Sequence, residues 1–283
     1  MAESKMTQQK DQMSAFNGFS EKEVIELSSR AKIDKLQAGE ILMKKDSNLI
    51  MGINTLNELL HSCPEKIIEV YALKKSLNDR KEDLIRAIEK ENIPIIYLDK
   101  RKLEDLVDSD SHQGFAAKVR RTYYTLKEIL EKDPPFLLLL DQIYDPHNFG
   151  AILRASECFS VSGLIYSKNK GCPVTPVVTK VSCGASELVP LVRVSNLNDT
   201  LIKLQKSGYT VVIANCGKEA KSIYEFQIPE KMVFVLGSEE KGVQPLVKKR
   251  ADDLVYLPMK GKIDSLNVSQ AAACFLSYFQ IKN

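Results

Sequence analysis

The sequence predicts an α/β protein built on a mostly parallel sheet. Beyond Pro135, short continuous apolar runs recur at Phe136–Leu140, Leu164–Tyr166, Val189–Val194, Tyr209–Ala214, Met232–Leu236 and Leu254–Leu257. Strands covered on both faces read this way. Helical patterns such as Leu197–Lys206 lie between several of the runs. Strand–helix alternation of this kind argues for a parallel sheet with helices on both faces.

The chain has 283 residues, 44% hydrophobic and 27% charged, which is globular composition with room for a sizeable core. A net charge of +3 is too mild to call for nucleic acid without local clustering. Six cysteines, none at CxxC spacing, suggest neither a zinc ribbon nor a redox motif, so no metal is expected. Several sit in apolar runs, as buried free thiols do. No apolar run approaches membrane-spanning length and no leader pattern opens the chain; a reduced, cytoplasmic protein is expected.

In order, residues 1–47 form a polar extension with one short helical pattern around Val24, Ile25 and Leu27. Residues 48–121 form a small alternating α/β unit. Leu56, Leu59 and Leu60 make a helical stripe, Ile67–Ala72 a strand, and Leu84, Ile85 and Ile88 an amphipathic helix. Ile93–Leu98 is a strand with Pro94 near its start; Asp99 caps a short helix with Leu103, Leu106 and Val107; Phe115–Val119 is the last strand. Basic residues recur at its turns, and Arg120–Arg121 lead into Tyr123–Tyr124. Basic groups beside aromatics suit RNA contact, and an ordinary solvated surface explains them equally. The charged stretch 122–135, with Pro134–Pro135, reads as a linker to a second domain, 136–283.

Three loops after apolar strands of that domain hold the candidate chemistry. The first is DQIYDPHNFGAILRASE, in which Asn148 is a candidate helix cap and Arg154 lies two turns into the helix. His147 has no partner pattern and reads as a loop hydrogen-bonding group. The second is LGSEEKGV. Gly237 and Gly242 have Walker A spacing, but Val243–Gln244 replace the required Lys-Ser/Thr, and a phosphate-cleaving reading fails. The third lies in LVYLPMKGKIDSLNVSQAAACFLSYF. Pro258 ends a strand, and Asn267 with Gln270 three residues on makes a capping-box pattern. Val268, Ala271, Ala272, Phe275, Leu276 and Phe279 share one helix face. Either a ligand crevice at strand ends or a plain strand–loop–helix accounts for this stretch.

DPHNFGAILR, LGSEEKGV and LPMKGKIDSLNVS resemble, in order, the three motifs of the SpoU group of SPOUT RNA 2′-O-methyltransferases. TPVVTKVSCGASELVPL resembles the family's linking segment. MGINTLNELL and HQGFAAKV echo the small substrate-binding domain of the bacterial 23S rRNA guanosine 2′-O-methyltransferases. The resemblance implies a C-terminal domain with a deep trefoil knot, S-adenosylmethionine bound in it, a homodimer through the knot region, and an RNA-binding domain ahead. Periodicity could not reveal a knot, since general topology rules argue against one. Carried over by position, the polar site residues are Asn148, Arg154, Glu239, Ser265 and Asn267. The cofactor is expected against backbone around Gly237, Leu257 and Leu266. Two departures stand out: Ser160, where glycine is frequent, and Glu240, where the second motif often has glycine. The resemblance implies ribose 2′-O-methylation, with a guanosine of 23S rRNA as target. A tRNA enzyme of the same group and an RNA-binding protein without catalysis are the alternatives.

Overall fold

A computed structural model describes residues 48–73, 79–217, 219–238, 241–263 and 265–282. The expected extension, 1–47, and Glu239 and Glu240 lie outside the described residues. From Leu49 onward the described residues belong to one compact unit.

The first part is β1 (Leu49–Met51), α1 (Ile53–Ser62), β2 (Ile67–Leu73), α2 (Asp79–Lys90), β3 (Ile95–Leu98), α3 (Lys100–Val107) and β4 (Phe115–Val119). The strands form a mixed sheet in the order β1-β4-β2-β3, with β4 antiparallel to both neighbours and β3 parallel to β2. One face buries Ile50, Val70 and Phe115 against Leu56 and Leu59 of α1 and Leu84 and Ile88 of α2. The other buries Met51 and Ala116 against Leu103 and Val107 of α3. The capping expected of Asp99 is absent, as its side chain makes no cap hydrogen bond. α1 begins at Gly52, which has no side chain to cap with. Gln113 substitutes from the turn before β4, its Oε1 accepting the Ile53 N–H at 3.1 Å. A helix-start donor is thereby satisfied by a tertiary contact.

The second part comprises β5 (Tyr123–Tyr124), α4 (Leu126–Leu130), β6 (Phe136–Leu140), α5 (Pro146–Cys158), β7 (Gly163–Ser167), α6 (Pro176–Val181), β8 (Leu191–Val194), α7 (Leu197–Lys206), β9 (Thr210–Ala214), β10 (Lys221–Ser222), β11 (Met232–Leu236), α8 (Pro245–Lys248), β12 (Asp253–Tyr256) and α9 (Val268–Lys282). The sheet order is β10-β12-β9-β11-β6-β7-β8-β5, and each neighbouring pair is parallel. β6, β7 and β11 are buried at every position, which is why they are continuous apolar runs. Their side chains still alternate. Leu138 and Leu140 join the layer under α5 and α9, whereas Leu137 and Leu139 join the layer under α4 and α7. On the first face Phe234 meets Phe275 at 4.8 Å and Phe279 at 5.0 Å between ring centroids, so the expected face of α9 is its packed face.

Two expectations need correction here. The stretch 122–135 is no free linker: Tyr123 and Tyr124 pair with Leu191 and Val192, Thr125 and Glu128 form a capping box, and Ile129 is buried. Its charges lie on the outer side of α4, as in the Lys127–Glu131 pair, and concealed the inner apolar side. Nor does Arg121 offer a surface to RNA. Its Nε and Nη2 donate to Glu187 Oε1 at 2.8 and 2.6 Å, its Nη1 donates to the Val174 carbonyl, and the pair is only 3% and 1% exposed.

This buried pair sits where the small sheet meets the 174–187 segment. Lys66 Nζ donates to the Glu187 carbonyl at 2.5 Å, and Thr55 Oγ1 to the Thr179 carbonyl at 3.3 Å. Gly184, at φ +91°, lies against α1; a Cβ there would stand 2.7 Å from Leu59 Cδ1.

Candidate active site

In the order β12-β9-β11-β6 every strand runs the same way, so the loops that leave their C-terminal ends lie side by side. Open parallel sheets place ligands in such a crevice. All three sequence motifs leave this row of strand ends, after β6, β11 and β12.

The loop after β11 is closed on itself. The Ser238 N–H donates to the Gly242 carbonyl at 3.1 Å, and the Gly242 N–H returns to the Ser238 carbonyl at 2.9 Å. A Cβ on residue 237 would fall 2.3 Å from the Gly242 carbonyl carbon and 2.5 Å from the Val243 nitrogen. Only glycine allows the two ends of the loop this close. The result holds two main-chain segments, 237–238 and 242–243, against each other in the same row of strand ends as Leu257, which is half-buried against the core just after β12. Main-chain donors and acceptors beside an apolar side chain suit a neutral nucleoside such as the adenosyl group, which needs no ionised partner. The Gly237 segment and Leu257 therefore fit the adenosyl part of S-adenosylmethionine.

The first and third motifs meet at the starts of α5 and α9. Asn148, expected as a cap, sits inside the first turn instead. Asp145 caps α5, accepting from the His147 and Asn148 amides at 3.1 and 3.3 Å, because Pro146 fills the first helical position and has no N–H to offer. The Asn148 side chain is used elsewhere: its Oδ1 accepts from Asn267 Nδ2 at 2.9 Å. Asn267 does cap α9, its Oδ1 accepting from the Ser269 N–H at 2.9 Å. One amide side chain both starts a helix and ties the third loop to the first.

Beside this bond lies a cleft of about 320 Å³, lined by Gln142, Tyr144, Asp145 and Asn148 of the first loop, Ser238 and Lys241 of the second, and Val268 of α9. Ser265 and Leu266 are exposed on the third loop. Arg154 is not among the lining residues. It is exposed on α5, and six residues past Asn148 means roughly 9 Å along the helix and about 120° around it. The described residues thus bring Asn148, Asn267 and the Gly237 loop together, and leave Arg154 outside their cleft.

Behind the first loop, burial alters two titrating groups. It pushes the Cys172 thiol up to about 11, so this cysteine stays protonated. Burial likewise raises the phenol of Tyr166, whose ring packs on Phe149 of α5 at 5.2 Å. Cys63 is the other buried thiol, Cys183 is half-buried, and Cys158, Cys216 and Cys274 are exposed. Among the described residues no group of three His, Cys, Asp or Glu is placed to hold a metal ion, and no helix is long and apolar enough to cross a membrane.

Sequence reasoning marked the loops but not the side chains of Gln142, Tyr144 and Lys241, which line the cleft.

Comparison with known proteins agrees with this geometry. Residues 135–277 match the SpoU rRNA Methylase family, and residues 49–125 match the family described as RNA 2′-O ribose methyltransferase substrate binding. The 23S rRNA (guanosine-2′-O-)-methyltransferase RlmB of Pasteurella multocida is 35% identical over 239 residues, covering 81% of this chain and 96% of that protein. The protein of the same name from Shewanella oneidensis is 37% identical over 237 residues, covering 82% and 96%. Among solved structures, the SpoU methyltransferase AviRb of Streptomyces viridochromogenes in complex with AdoMet superimposes with a TM-score of 0.67 at 20% identity, covering 83% of this chain and 89% of that one, a likeness of fold. Matches of this extent, on top of three motifs converging on one crevice, place the chain in the SpoU rRNA methylase family.

Proposed function

We propose that this protein transfers a methyl group from S-adenosylmethionine to the ribose 2′-hydroxyl of a guanosine in 23S rRNA. The observation that carries this is the Asn148–Asn267 bond, which closes the first and third motifs around the cleft that the second motif walls. The activity named for relatives at 35% and 37% identity supplies the target.

When bound, the cofactor supplies an already electrophilic methyl on a sulfonium. The chain's task is to hold the ribose hydroxyl in line with it and to help its proton leave. Alignment of bound reactants can lower a barrier by roughly 7–11 kcal/mol. Asn148 and Asn267 hold the ribose edge of the cleft, with Ser265 shaping the third loop and Glu239 orienting a donor on the second. The main chain at Gly237, Leu257 and Leu266 holds the cofactor. Arg154 grips an RNA phosphate with its planar fork and stabilises the developing alkoxide. A guanidinium, with a pKa above about 12, is a poor proton acceptor near neutral pH, so stabilisation is its assigned role.

The protein acts as a homodimer through the 136–283 domain. Because Arg154 lies outside the cleft of its own chain and is exposed, it serves the partner's site. Residues 48–121 present RNA, consistent with the exposed Lys100, Arg101, Lys102 and Arg120 on that unit. A trefoil knot fits the path of the chain's end: β12 lies two places out from β11, and α9 returns over Phe234 at the sheet's centre. A cytoplasmic location follows from the RNA target. The test is ribose-methylation mapping of total RNA with and without the gene. The proposal expects one guanosine of 23S rRNA to lose its mark; a lost mark in tRNA instead, or none, contradicts it.

A further inference from the structure

Asp141 is fully buried at the end of β6, yet no step of the proposed reaction uses it. Its hydrogen bonds go to the loop after β11. The Asp141 N–H donates to the Leu236 carbonyl at 2.9 Å, at the loop's entrance. Its carboxylate accepts the Gln244 N–H at 2.7 Å and Gln244 Nε2 at 2.6 Å, at the loop's exit. One residue therefore fastens both ends of the turn that begins at Gly237. The oxygen of the Gln244 side-chain amide is used as well: Lys170, on the loop after β7, donates to it at 2.8 Å. Gln244 thus links three strand-end loops, and its amide is a side chain that can accept from a lysine and donate to a carboxylate at once.

We propose that Asp141, through Gln244, is a positioning residue that holds together the two ends of the loop after β11, at 236–238 and 242–244, and so sets affinity for S-adenosylmethionine; this rests on the function proposed above. Asp141 itself touches neither cofactor nor RNA. A polar network of this kind, satisfied in a buried setting, rigidifies what it joins, and one mismatched member undoes it.

The chemistry allows the network to be broken and rebuilt. Gln244→Glu sets two carboxylates against each other. Adding Asp141→Asn restores every bond, with only the side chain–side chain bond reversed in sense. The introduced amide oxygen accepts the main-chain N–H at position 244, and the introduced amide nitrogen donates to the new carboxylate there. That carboxylate still accepts from Lys170.

Two readouts on the full-length chain separate this claim from the function it rests on. Hydrogen exchange of the Ser238 and Gly242 amides, without ligand, reads the turn; titration calorimetry with S-adenosylmethionine reads affinity. Expected for Gln244→Glu is faster exchange at both amides and about tenfold weaker binding, with both returning to within about threefold of wild type in the double variant. Unchanged exchange in Gln244→Glu, or a double variant no better than the single one, overturns the clamp. Absence of binding by the wild type, with exchange behaving as expected, overturns the cofactor reading and leaves the clamp standing.

Discussion

At the scale of single residues, Ser160 and His112 show how far side-chain identity reaches. Ser160 stands where the resemblance led to glycine, and its backbone is left-handed, at φ 51°. A residue with a Cβ is strained in this region, so Ser160→Gly is expected to stabilise the protein by about 0.5–1 kcal/mol, read as a higher urea midpoint. His112 lies buried in the turn that enters β4, and its Nδ1 accepts the Gly114 N–H at 2.9 Å. That bond requires the neutral ring, and burial holds its pKa below the ordinary histidine value. The sign follows. As pH falls through about 6.5 the unfolded chain takes up the proton first, so the folded state loses stability below that pH and keeps it above. His112→Asn, which retains an acceptor for Gly114 without titrating, is expected to flatten the fall in urea midpoint between about pH 7 and about pH 5. An unchanged slope contradicts the assignment. The HQG triplet was visible in the sequence as a lead into a strand. That Gln113 stitches it to α1 was not, because that bond spans 60 residues of sequence.

At the scale of elements, the positions of β6, β7, β9 and β11 and the face of α9 were legible because burial on both sides leaves an unbroken apolar run. The small strands β5 and β10, two residues each, carry no such signal. The 122–135 stretch failed for a related reason: exposed charges conceal the few apolar residues that anchor it. Two elements make predictions. Gly237→Ala forces the turn open against Gly242 and Val243, and is expected to weaken S-adenosylmethionine binding by about tenfold or more by calorimetry while leaving the thermal transition within a few degrees. Glu187→Gln strands the Arg121 charge in a dry site and is expected to cost about 3–5 kcal/mol of stability, whereas Arg121→Met with Glu187→Leu costs far less. Equal losses for the two variants would remove the pair from its place in holding the small sheet to the 174–187 segment.

At the scale of the whole molecule, the convergence of three loops was readable from their order after apolar strands, and the family resemblance supplied the rest. The separation of Arg154 from the cleft was not readable, since a helix position shows its neighbours only once α5 has a direction. That separation gives the proposed dimer its purpose. Chains carrying Arg154→Ala and chains carrying Asn267→Ala, each inactive alone, are expected to regain about a quarter of wild-type activity when refolded together, because half the dimers would then hold one complete site. No recovery would place Arg154 in its own chain's site. The most direct measurement is transfer of labelled methyl from S-adenosylmethionine to purified 23S rRNA by this protein, followed by digestion to nucleosides. The label is predicted in 2′-O-methylguanosine, and to vanish with Asn148→Ala; label on a base, or in another nucleoside, would contradict the account.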